Sequence, residues 1–155
     1  MNTIRKITIV LTLVVISALM VAPTFAAGTK VITKTEDQIN KSYWVTNPAW
    51  RAVTNRYVDL QPGQVVVKES ITRRGKDPVA VEVTYTPSVE NNRIFWTAIS
   101  VTVNGQAASQ ELIDQVNANR TYSWANYWKR NGGSGKVQSV EITDTEIKVT
   151  VATNR

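Results

Sequence analysis

Carboxylates are the groups in this chain best suited to bond-breaking chemistry. Glu111 and Asp114 stand three apart in a stretch of helical periodicity, a spacing that places both on one face. Glu36 and Asp37 are adjacent at the start of an earlier stretch of the same kind. Paired carboxylates can hydrolyse a glycosidic bond, one as acid and the other as base or nucleophile. Acidic residues at a helix start also complement the helix dipole, which accounts for Glu36, Asp37 and Glu111 without catalysis. Glu141, Asp144 and Glu146 gather around one turn, but their spacing matches no cation loop. The chain has no histidine and no cysteine. It therefore lacks the commonest general base, the partner of a triad serine, thiol nucleophiles and thiolate metal sites. No Ser-x-x-Lys occurs after residue 26. The expectation is a protein with no catalytic residues, no metal and no cofactor.

Rings and cations offer binding chemistry instead. Of the five Trp and five Tyr, eight fall in two stretches, 43–57 and 122–128. Trp44, Trp50, Trp124, Tyr127 and Trp128 are candidate apolar walls for a lipid-like or amphiphilic ligand, since such rings suit sites that are part apolar and part wet. The competing reading makes the same rings glue between helices and a sheet. Arg73, Arg74 and Lys76 form the densest positive cluster and are candidates for contact with an anionic headgroup, an anionic membrane surface or an envelope partner. A charged hairpin that merely discourages edge pairing is the plainer account. Asn40-Lys41-Ser42 and Asn119-Arg120-Thr121 match glycan acceptor patterns, which are short enough to arise by chance.

These residues need elements to position them. Thr35-Glu36-Asp37-Gln38 has the form of a capping box opening a helix, with Ile39 and Tyr43 four apart. Asn47-Pro48 suggests a second start, with Trp50, Val53 and Tyr57 at helical spacing. From Val58 the period becomes two. Val65, Val67 and Ile71 share one face, a hairpin loop follows at Arg74–Pro78, and Val79, Val81, Val83 and Tyr85 share the next. After Asn91-Asn92 a long strand runs from Arg93 to Val103. This alternation predicts an antiparallel sheet with one covered face. Ser109 opens a long second helix whose stripe includes Leu112, Ile113, Val116, Trp124 and Tyr127. A glycine-rich link at 131–135 precedes a final hairpin, Val137–Ile142 and Thr145–Ala152. The expected class is α+β: a curved antiparallel sheet against N-terminal helices and a long second helix, closed by the C-terminal hairpin.

The whole chain has 155 residues and a net charge of +6. Residues 1–26 read as an export signal: Arg5 and Lys6, an apolar run from Ile7 to Ala22, and small residues before a cut between Ala26 and Ala27. A retained N-terminal anchor is the lesser alternative. Loss of Arg5 and Lys6 with that segment leaves a net of +4 on a chain without cysteine. Residues 27–34 read as a short leader and 35–155 as one domain. The mild positive charge eases approach to anionic surfaces but falls short of a nucleic-acid footprint, so no nucleic acid partner is expected. Oligomeric state is left open.

The phrases Thr35–Asn40 opening a helix, Val58–Val67 beginning the sheet and Val103–Gln106 before the second helix resemble small exported bacterial proteins in which a curved antiparallel sheet wraps a long helix, akin to half of a tubular lipid-binding domain. The resemblance implies lipid or amphiphile binding between helices and sheet, in a secreted or extracytoplasmic setting. The residues alone leave two further readings open: an interaction module using an exposed aromatic patch or a sheet edge, and a carbohydrate- or wall-binding module.

Overall fold

The computed structural model describes residues 28–43, 50–118, 123–133 and 135–153. The expected export signal, the cleavage point at Ala26 and Ala27, and Trp44 lie outside the described residues. The class is α+β with antiparallel sheets, as expected. A five-stranded sheet runs in chain order through β2 (Arg51–Gln61), β3 (Gln64–Arg73), β4 (Val79–Glu90), β5 (Arg93–Val103) and the short β6 (Gln106–Ala107). Its tight turns follow from residues that tolerate positive φ. Asn91 and Asn92 sit at φ 49° and 61°, and Asn104 and Gly105 at 50° and 77°. Two consecutive positive values give the turn whose twist matches that of paired strands.

The helix suggested by Trp50, Val53 and Tyr57 does not form, because β2 begins at Arg51. Arg51, Val53 and Tyr57 pair across to Arg73, Ile71 and Lys68, with a bulge between Thr54 and Tyr57 where Asn55 adopts φ 50°. The bulge breaks the alternation, so Val53 and Tyr57, four apart in sequence, face partners only three apart in β3.

The expected leader is structural as well. Within 27–34, all but the first two residues belong to β1 (Thr29–Thr35), which pairs along its whole length with β8 (Glu146–Ala152). With β7 (Lys136–Ile142) on the other side of β8, the C-terminal hairpin and β1 make a second sheet of order β1-β8-β7. Ile147, Val149 and Val151 of central β8 are fully buried, with half-buried residues between them. Backbone bonds join the two sheets: Gly63 N–H to Ile142 O at 3.0 Å, and Val137 N–H to Asn92 O at 3.0 Å. One apolar core spans both, from Val58, Leu60, Val65 and Val67 to Ile142 and β8.

Helix α1 (Glu36–Ser42) starts with the expected capping box, Gln38 N–H donating to the Thr35 hydroxyl at 3.3 Å and Thr35 N–H to Gln38 Oε1 at 3.2 Å. The expected long second helix is divided into α2 (Gln110–Ala118) and α3 (Ser123–Asn131), residues 119–122 lying outside the described residues. Past α3, Gly133 holds φ 80° and lies so close to Ile32 that an added Cβ would collide with the Ile32 Cδ1. Among the described residues, no helix is long and apolar enough to cross a membrane.

Asparagine side chains fix the edges of the five-stranded sheet. On α1, the Asn40 amide donates to Val58 O at 2.8 Å and accepts from Val58 N–H at 2.7 Å. On the opposite edge, the Asn117 amide of α2 does the same to Ala98, at 2.9 and 2.8 Å. A side-chain amide carries the donor and acceptor of a peptide group, so each asparagine satisfies an edge residue as a neighbouring strand would. Glu36 extends the first plug, accepting from Leu60 N–H at 2.8 Å and from the Tyr57 hydroxyl at 2.8 Å.

Candidate functional site

The candidate ligand walls are split by the structure. Trp124, Tyr127 and Trp128 are 1%, 6% and 3% exposed and belong to the core. With Tyr43 and Trp96 they form a continuous ring cluster, centroids 5.2–6.0 Å apart and mostly edge-to-face. The rings fill the space between α3 and the sheet where an apolar ligand was expected. Arg56 closes the cluster, its guanidinium 4.3 Å from the Tyr43 ring centre while it grips Glu69 at 2.6 Å.

Trp50 is the exception, at 57% exposed. It directly precedes β2, so the antiparallel register carries it to the far end of β3 and the β3–β4 hairpin. Arg51 pairs with Arg73, Arg74 N–H donates to Trp50 O at 3.1 Å, and the Arg51 guanidinium lies 5.5 Å from the Trp50 ring centre. Arg73, Arg74 and Lys76 are all exposed. Residues chosen from two separate parts of the sequence thus meet at one end of the sheet. Asp77 is the carboxylate of this tip, against four cations, and none of those four forms an ion pair among the described residues. Arg51 is half-buried, and its Nε is enclosed without an acceptor among the described residues. Arg51 was not singled out from the sequence, because its place in the cluster depends on the strand that the helical spacing hid.

The carboxylates are distributed differently. Glu36 holds the β2 edge, and Asp37 pairs with Lys41 at 2.6 Å on the surface of α1. Glu111 and Asp114 accept from Gln115 and Gln110 along exposed α2. Glu146 pairs with Lys148 at 2.7 Å. Among the described residues, no three carboxylates stand close enough to hold a metal ion. Asn40 spends its amide on Val58, which gives its glycan-like pattern a structural reason.

A second feature lies at the other end of the sheet. An open groove of about 870 Å³ runs beside the first half of β5, between that strand, α3 and the start of β7. Its apolar lining includes Ile94, Phe95, Trp96, Ala125, Trp128 and Val137, and the exposed Glu90, Arg93 and Lys129 bring charge. No known protein family, curated protein or solved structure matches this chain.

Proposed function

We propose that this chain is an exported, non-catalytic docking module that binds an anionic phospholipid surface through the face centred on Trp50. The observation that carries the reading is an exposed tryptophan set among Arg51, Arg73, Arg74 and Lys76 at one end of the sheet. An indole ring partitions to the boundary between headgroups and hydrocarbon. Each basic side chain near an anionic leaflet contributes about 1 kcal/mol of attraction. The charged and apolar N-terminal segment supports export, and the net positive charge favours approach to such a surface. Holding an apolar ligand between helices and sheet is less well supported, because Trp124, Tyr127 and Trp128 occupy that space themselves.

The test uses residues 27–155 and vesicles of phosphatidylglycerol with phosphatidylcholine, against phosphatidylcholine alone. The expected result is binding to the anionic vesicles that weakens steadily with salt. Arg73→Ser with Arg74→Ser should lower affinity roughly 30-fold, from two charges at about 1 kcal/mol each. Trp50→Ala should weaken binding at every salt concentration. Equal partition onto both vesicle types, or none at low salt, would overturn the reading.

A further inference from the structure

The groove beside β5 is bounded by a strand edge whose hydrogen-bonding groups follow from register alone. Glu90 and Arg93 close the two-residue turn at Asn91-Asn92 and face one another. In such a hairpin the closing pair exchanges backbone bonds, and alternate pairs beyond it do not. Val89 with Ile94, Pro87 with Trp96 and Tyr85 with Ala98 are therefore the pairs without ladder bonds. Two observations agree with this phase. Pro87 has no N–H to give, and the Ala98 peptide groups turn outward to the Asn117 amide. The N–H and C=O of Ile94 and Trp96 must point the same way as those of Ala98, away from β4. Among the described residues no strand pairs with β5 there, because β6 pairs only with Thr102 and Val103, and β7, which begins beside the groove, bonds there only to Asn92 O through Val137 N–H. Asn117 satisfies the outward groups of Ala98, and the groove begins where that plug ends.

The geometry points to this groove as a docking site for an extended, acidic segment of a partner polypeptide, which adds a strand to β5 at Arg93–Thr97. Backbone pairing with Ile94 and Trp96 supplies the main contact, as in strand addition to exposed sheet edges generally. Five extended residues span roughly 17 Å, a length suited to an open groove of about 870 Å³. Alternate side chains of the segment face the apolar lining at Ile94, Trp96 and Val137. Arg93 and Lys129 outnumber Glu90 among the exposed charges of the groove, which favours a segment bearing carboxylates. A second copy of the five-stranded sheet is a poorer fit, because α3 with Gly132, Gly133, Gly135 and Val137 walls the far side of the groove. The site stands at the opposite end of β4 from Trp50 and does not depend on the membrane reading.

An array of random seven-residue peptides, probed with residues 27–155, tests the proposal. Selected peptides should alternate apolar side chains and carry at least one carboxylate. In the complex, the amide hydrogens of Ile94 and Trp96 should exchange more slowly with solvent than in the free chain. Ile94→Pro removes an outward N–H and leaves the β4 ladder intact, so it should weaken binding at least tenfold, whereas Ile94→Val should change it less than threefold. Lys129→Glu should shift selection toward basic peptides, a readout that stands even if the proline variant folds poorly. An array yielding no binder, or binders that leave both amides exchanging freely, would overturn the proposal. So would an amphiphile or a second copy of the chain filling the groove in place of a peptide.

Discussion

Asn40 takes the place of a neighbouring strand at Val58, and its two bonds set the cost of losing it. Val58 is fully buried, so Asn40→Ala strands an N–H and a C=O away from water. Each stranded group costs about 1–3 kcal/mol, and the expected loss is about 3 kcal/mol, read as a fall of roughly 10–15 °C in Tm for a domain of this size. Asn40→Asp keeps the acceptor and loses the donor, so its melt should fall between the two. Glu36 gives a second prediction. Its carboxylate accepts the Tyr57 hydroxyl and, by that bond and then by its charge, holds the phenol above its usual pKa of 10.0. A raised folded-state value means that the contact stabilises the fold fully below pH 10 and is lost as pH rises through the folded pKa. Phenolate absorbance should show the Tyr57 step at lower pH in Glu36→Gln than in the unchanged chain. The sequence displayed the helix cap at Thr35 and Gln38 plainly. It did not display the edge-holding roles of Asn40 and Glu36, because their partners are backbone groups 18 and 24 residues away.

Strands were legible wherever side chains alternated without interruption. Ile147, Val149 and Val151 lie where a period of two puts them, and the turns at Asn91-Asn92 and Asn104-Gly105 follow from residues that accept positive φ. Legibility failed where the spacing of a few side chains imitated another period. Trp50, Val53 and Tyr57 stand three and four apart, as helical neighbours do, and the register that brings Trp50 to the arginines went unseen with the strand. β1 was missed for a different reason: its residues read exposed or half-buried along its length, so no apolar stripe marked it. Its contribution is to cover an edge. Without it, β8 would present a bare row of backbone groups beside a valine-rich core, the arrangement that invites aggregation. A chain beginning at Glu36 should therefore melt far below one beginning at Ala27, or aggregate on purification. Similar melts for the two chains would show that β1 is dispensable.

At the scale of the molecule, β4 separates two different kinds of surface. One end carries Trp50 and four cations, and the other opens onto the groove beside Arg93–Thr97. Twelve residues of strand place these ends roughly 40 Å apart, well beyond the ~10 Å over which exposed charges act on one another at ordinary salt. A sheet held at both edges by asparagine amides and closed by one core gives little means for one end to deform the other. The two surfaces should therefore act independently. Arg73→Ser with Arg74→Ser should leave peptide affinity within twofold of the unchanged chain, and Ile94→Pro should leave vesicle binding equally unaffected. A peptide bound in the groove should also remain bound when the chain sits on anionic vesicles, as fluorescence anisotropy of a labelled peptide would report. Such a molecule can hold a partner segment at a fixed distance from a surface with no moving part. Competition between vesicles and peptide would instead mean that the two ends share a single binding face.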